Sequence, residues 1–203
     1  MKFLVVGLYL GACWFLYQSL RILDKPSAPL GLAIFALNPL VIIESVVSAH
    51  NDVGMMTFAM ASLYFFLTRK HLTSLVALAV SAAIKLITVV LLPVLLVGWN
   101  RTIALVFMMI GFYLVIMRRE VLPWYWVWIM PFVALLPRSR DITILASGVS
   151  LGLLLRYAPY LYLGHWDPPV PIWKWWLTAI PIALSASFIL LRHILQLKKN
   201  SMP

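Results

Sequence analysis

Apolar residues run almost without interruption near 3–20, 28–47, 53–68, 72–98, 102–117, 121–136, 142–155 and 176–194, each run ending in charge or in Pro and Gly. Such runs read as helices buried in a membrane. Several hold only about 14 to 16 residues, which at 1.5 Å per residue is short for a hydrocarbon core of roughly 30 Å, so tilt, thinning or incomplete crossings are expected. The run from Leu72 to Gly98 is long instead, with Lys85 near its middle and Pro93 further on. The pattern predicts an all-α fold, a polytopic transmembrane helical bundle of about eight to nine membrane segments that include a short-helix pair near Lys85. The polar breaks leave no room for a soluble domain. The expected organisation is a single multi-span membrane domain over 1–196 and a polar cytoplasmic tail over 197–203.

Composition agrees with this reading. Of 203 residues, 64% are hydrophobic and 11% charged, far from the balance of a soluble domain. Sixteen Lys and Arg against six Asp and Glu give a net charge of +10, but the cations are scattered between the apolar runs and form no single basic face, which argues against nucleic acid. They read as loop charges that orient helices, with some left for anionic lipid or phosphate. The one cysteine, Cys13, lies inside the first apolar run, so no intrachain disulfide is expected. Leu10-Gly11-Ala12-Cys13 approximates a lipoprotein cleavage box, yet the apolar run continues through Trp14, Phe15, Leu16 and Tyr17, so a plain first span is expected.

The cations also weigh two topologies for 72–98. A single crossing there divides Lys and Arg almost evenly between the two sides of the membrane. A dip and return at Lys85 instead gathers Arg21, Lys25, Arg69, Lys70, Arg101, Arg138, Arg140, Arg192, Lys198 and Lys199 on one side, the cytoplasmic one by the positive-inside rule. On this second reading the stretch from Glu44 to Asp52, Lys85, Arg118-Arg119-Glu120 and the aromatic, proline-rich 156–175 share the extracytoplasmic face. A multi-pass protein of the plasma membrane is expected.

Ionisable groups inside a membrane are costly, about 2.5 to 3.5 kcal/mol each at mid-helix on insertion scales, so each needs a partner or a function. Glu44, Asp52 and Lys85 stand out. If residues 44–52 stay helical, Glu44 and Asp52 fall roughly on one face. Asp52 also reads as an N-cap of the following helix, with Asn51 and Ser48 as alternates. His50 reads either as an interfacial histidine or as a general acid or base. For Lys85 the choices are snorkelling, an ion pair with Glu44 or Asp52, or phosphate binding. Arg118 and Arg119 are either a solvated helix end or further phosphate contacts.

Asn38-Pro39-Leu40, Glu44, His50-Asn51-Asp52, Arg69-Lys70, the Ala-rich run ending in Lys85 with Pro93 after it, and Pro123-Trp124-Tyr125 resemble the C-terminal half of the polytopic GT-C glycosyltransferases. The likeness covers roughly residues 1–136. It is nearest to the bacterial polyprenyl-phosphate-mannose-dependent mannosyltransferases of glycosyltransferase family 87, and more distant to the eukaryotic mannosyltransferase of glycolipid-anchor synthesis. The resemblance implies an enzyme of the cell envelope that transfers a sugar, mannose by analogy, from a polyprenyl-phosphate donor to a lipid or glycan acceptor, with inversion. It implies catalytic roles for Asp52, Glu44 and His50, and substrate contacts from Asn51, Lys85, Arg118, Arg119, Trp124 and Tyr125. No cofactor is expected, and no metal-ligand set is visible.

The chain departs from that pattern where such enzymes carry an aspartate in a first extracytoplasmic loop. Its corresponding segment is Arg21-Ile22-Leu23-Asp24-Lys25-Pro26, which the topology puts in the cytoplasm, so Asp24 is a poor substitute. Three readings follow: a fragment of a longer enzyme, a chain completed by a partner polypeptide that supplies the missing half, or an inactive member. Two other classes stand beside the enzyme. One is a transporter or ion pathway, with Glu44, His50, Asp52 and Lys85 as a relay, although no matched halves with broken helices are visible. The other is a non-catalytic membrane scaffold subunit.

Overall fold

The computed structural model describes residues 2–200, and no strand occurs among them. Two compact units divide between Arg138 and Ser139. The first unit contains α1 (Lys2–Leu23), α2 (Ala28–Ala36), α3 (Pro39–Ile42), α4 (Asp52–Leu67), α5 (His71–Ile84), α6 (Leu92–Leu96), α7 (Arg101–Ile116) and α8 (Met130–Ala134). Three-ten turns at Lys25–Ser27, Leu86–Leu91 and Pro123–Trp128 and a π turn at Ile43–Val47 connect them.

The centre of this unit is α4, almost wholly buried between α1 and α5. Small and hydroxylated residues let the three helices approach, as is usual where there is little water to drive packing. Against α1, the Thr57 hydroxyl donates to Leu8 O (2.7 Å) and to Val53 O (2.8 Å), while Phe15 packs on Tyr64 and Phe65. Residue numbers rise together along this seam, so α1 and α4 run parallel. Against α5, the Ser74 hydroxyl donates to Ser62 O (2.7 Å) and the Ser81 hydroxyl to Met55 O (2.8 Å), which makes α4 and α5 antiparallel.

The return between the parallel helices is broken. Lys25–Ala36 and Pro39–Val47 meet at 58°, where the Asn38 side chain accepts from Leu40 N–H (3.0 Å) and Val41 N–H (3.2 Å) and Pro39 starts the next turn. Both devices start a helix rather than continue one. Lys85 is the other break. Its backbone is extended (φ −148°, ψ 124°), and the 3-10 turn that follows packs back against α5.

Among the described residues three stretches are long and apolar enough to cross a membrane, Lys2–Leu23, Arg140–Leu163 and Val170–Lys199, or four if the bent pair counts as one. The expected all-α fold is present, but eight to nine membrane segments are not supported by helix length and composition. An apolar run need not be a span, and α4, α5 and α7 are short helices of 16, 14 and 16 residues. At 1.5 Å per residue they reach only about 21 to 24 Å, and α4 is buried by protein.

In the second unit α9 (Arg140–Leu155) packs antiparallel to α11 (Val170–Asn200), with α10 (Ala158–Leu163) between them in sequence. Gly148 and Gly152 make the approach possible. A Cβ on Gly148 would lie 2.1 Å from Ser185 Oγ, and one on Gly152 2.6 Å from Thr178 O. At one end of this pair Asp141 accepts from Arg192 and lies 2.9 Å from His193 Nε2. Of the tail expected at 197–203, residues through Asn200 continue α11, and 201–203 lie outside the described residues.

Candidate functional site

The helix directions of the first unit sort its charges. Because α1 and α4 are parallel and α5 returns, Asp52 and Lys85 come together at one end while Arg69 and Lys70 lie at the other. Asp24 belongs to the far end as well. Arg138 clasps it there, with Nε 2.7 Å from Oδ2 and an Nη donating to Oδ1 at 2.8 Å, and the donated hydrogen bonds hold the Asp24 carboxyl below its usual range. The sequence reading of Asp24 as remote from the polar cluster agrees with this placement.

At the near end three local devices present the side chains. The first is the π turn at Ile43–Val47, where Ser48 N–H reaches Ile43 O (2.8 Å) and His50 N–H reaches Glu44 O (3.0 Å). Single π turns recur at functional sites. Here the turn buries Glu44 completely, and Ala49, in the left-handed region at φ 57°, folds the chain so that His50 comes back over it. His50 Nε2 lies 3.4 Å from Glu44 Oε2, and the imidazole stacks on the Trp124 indole with centroids 4.2 Å apart. Residues 44–52 therefore do not stay helical. Glu44 and Asp52 do not form one acidic face but belong to separate pairs.

The second device is the start of α4. Asn51 occupies the N-cap position, exposed and with no cap hydrogen bond from its side chain, and Asp52 is the first helical residue. The Asp52 carboxylate turns to tertiary partners. Its Oδ1 lies 2.6 Å from Lys85 Nζ and also accepts from the Trp128 indole N–H, while Oδ2 is buried without a hydrogen-bond partner among the described residues. Of the pairs open to Lys85 in the sequence, the fold makes the one with Asp52.

The third device is the 3-10 turn Pro123–Trp128. Three residues per turn place Tyr125 and Trp128 on one side, with rings 4.6 Å apart, while Trp124 is left to meet His50. Trp128 was not among the expected site residues. The only signal for it was the i, i+3 spacing from Tyr125 in PWYWVW, and tryptophans at a membrane interface normally read as an aromatic belt.

These elements border a cavity of about 470 Å³ lined by Lys85, Arg118, Arg119, Tyr125, Trp128 and the apolar Leu114 and Val115. Three cations and two aromatic rings line it, with no carboxylate in the lining among the described residues. Asp52 (1% exposed) stands behind Lys85 and Trp128, away from the cavity lining, whereas His50 keeps a third of its side chain exposed. Burial pushes the His50 imidazole below its ordinary value. Asp52 opposes that shift, and Lys85 adds to it. No group of three or more potential metal ligands occurs among the described residues.

The described residues are thus all-helical, with helices long and apolar enough to cross a membrane and a cation-lined cavity beside the buried Asp52–Lys85 pair. Residues 2–101, just under half of the chain, match the family model described as alpha-(1->6)-mannopyranosyltransferase, N-terminal domain. The match supports a mannosyltransferase relationship and a membrane location. It takes in Glu44, His50, Asn51, Asp52 and Lys85, and ends before Arg118, Arg119, Trp124, Tyr125 and Trp128. No curated protein and no solved structure matches the chain.

Proposed function

We propose that this chain is a mannosyl-transferring membrane glycosyltransferase, or the part of one that binds the donor, and that the cavity receives the phosphate of a polyprenyl-phosphate sugar. The observation that carries the reading is the lining itself: Lys85, Arg118 and Arg119 with no carboxylate among them, next to the ring faces of Tyr125 and Trp128. Cations so placed stabilise the charge that develops on a departing phosphate, and they act more strongly where water is thinned out. Aromatic faces suit the C–H surface of a sugar.

In the transfer the acceptor hydroxyl oxygen attacks the anomeric carbon, its proton passes to a base, and the bond to the phosphate oxygen breaks with its electron pair leaving on the polyprenyl phosphate. His50 is the base assigned to this step, stacked on Trp124, whose ring neighbours Tyr125 of the cavity lining. It is the one exposed member of the three expected catalytic groups, burial favours its neutral form, and Glu44 behind it steadies the imidazolium that results. Asp52, expected as a catalytic carboxylate, is paired with Lys85 and buried away from the cavity lining. Asn51 is exposed, follows His50 in the chain and fits an acceptor contact. The distribution of Lys and Arg supports a sidedness in which this end of the first unit faces the extracytoplasmic side of the plasma membrane.

The test is binding of polyprenyl-phosphate mannose to the purified full chain in lipid nanodiscs. Lys85→Met and Arg118→Ala are each expected to weaken it about tenfold to a hundredfold, the range for losing a charged hydrogen bond. Wild-type affinity in both variants would remove the phosphate site.

A further inference from the structure

We infer that Trp128 is a positioning residue, one that keeps the Lys85 ammonium turned toward the cavity by sharing the Asp52 carboxylate with it. This rests on the phosphate-site reading above and adds a residue that neither the sequence pattern nor the family match singles out. Lys85 faces two competing anions, the buried Asp52 carboxylate and the phosphate that the cavity receives. Left alone with a carboxylate that is 1% exposed, an ammonium is drawn fully onto it, because a buried anion with unfilled acceptor sites is expensive. Asp52 has such sites, for its Oδ2 has no partner among the described residues.

Trp128 offsets that pull in two ways. Its indole N–H donates to Oδ1, the same atom that Lys85 contacts at 2.6 Å, so part of the carboxylate's demand is met by a group that is not a cation. Its ring lies 5.5 Å from Nζ, within cation–π range, and bounds the ammonium on another side. Both Lys85 and Trp128 line the cavity, so the Lys85 donors not engaged by Asp52 are left for a ligand there. Trp128 acts through Lys85 and Asp52. It need not touch the reacting atoms.

Trp128→Phe keeps a ring and removes the donor. In the full chain in nanodiscs, this variant is expected to bind polyprenyl-phosphate mannose about tenfold more weakly while its thermal midpoint stays within a few degrees of wild type. The Asp52→Asn background supplies the decisive comparison. An uncharged amide no longer draws Lys85 away, so adding Trp128→Phe there changes affinity less than twofold. Residues acting through one another are non-additive in this way, and independent structural effects are additive. A second readout does not depend on how well the Phe variant folds: the Trp128 indole 15N–1H resonance shifts when donor is added to wild-type protein and shifts in Asp52→Asn. Wild-type affinity in Trp128→Phe, equal weakening in both backgrounds, or an unmoved indole resonance overturns the inference. If Lys85→Met itself binds donor normally, the phosphate-site reading fails and this inference falls with it.

Discussion

A neutral imidazole is a better proton acceptor than a charged one, and burial gives His50 that form over a wider range than in water. Its conjugate acid lies below the ordinary value of about 6.5, so His50 stays uncharged as the pH falls through the range where a solvated histidine protonates. Transfer is therefore expected to hold down to about pH 6.5 and to decline on an acid limb centred below it. His50→Gln should lose that limb and about a hundredfold or more of the rate. A pH–rate profile of both proteins checks this, and an identical acid limb in His50→Gln counts against the assignment. Glu44, His50, Asp52 and Lys85 were legible because charge inside apolar sequence requires a partner. The Lys85–Asp52 pair was among the alternatives the sequence offered, but the His50–Glu44 pair was not, since it hangs on the left-handed Ala49 and on a π turn, neither of which leaves a compositional mark. Trp128 escaped for a different reason: its indole N–H is a polar group on a residue whose abundance in membrane proteins already has an explanation.

At the scale of elements the sequence signals were strongest at breaks. Asn38-Pro39 and Lys85 interrupt their apolar runs by cap chemistry and by charge, and both are breaks in the fold. Span number was less legible, because an apolar run shows that a helix is buried without showing whether lipid or protein buries it. The close approaches that seat α2 can be tested directly. A Cβ on Gly31 would lie 2.4 Å from Leu20 Cδ1 and 2.6 Å from the Ala134 carbonyl oxygen, and the latter is backbone that cannot swing aside. Gly31→Ala is expected to destabilise by about 1 to 3 kcal/mol through overpacking. Gly7, in the middle of α1 with nothing within 4 Å of its would-be Cβ, is the control, and Gly7→Ala should be neutral or stabilising by up to about 1 kcal/mol. Thermal unfolding in one detergent compares the two, and equal midpoints would refute the packing argument.

Over the whole first unit, the arrangement of ends matters more than any one contact. Arg69, Lys70 and the Asp24–Arg138 clasp mark one end, and Glu44, His50, Asp52, Lys85, Arg118 and Arg119 gather at the other. Cysteines placed at these ends in a Cys13→Ser background report the topology. In right-side-out vesicles a membrane-impermeant maleimide should label Arg119→Cys directly and Lys70→Cys only after permeabilisation. Labelling of both from outside would remove the proposed sidedness. This sorting was legible from the distribution of Lys and Arg because it is a property of many residues at once, and a sum tolerates errors that a single contact does not.

The Asp52–Lys85 pair also constrains how the protein is made. While the chain is being inserted, α4 reaches the membrane before α5 has been synthesised, carrying an aspartate whose partner does not yet exist. A lone charge costs about 2.5 to 3.5 kcal/mol at a helix centre on insertion scales and less toward a helix end, and Asp52 is the first residue of α4, whose 16 residues are short for a span. The hydroxyl bonds from Ser74 to Ser62 and from Ser81 to Met55 fasten α4 to α5, and the ion pair closes only when Lys85 arrives. Helices α4 and α5 are therefore expected to enter the bilayer as one hairpin, and a nascent chain halted after Leu67 to insert less well than one that includes Lys85.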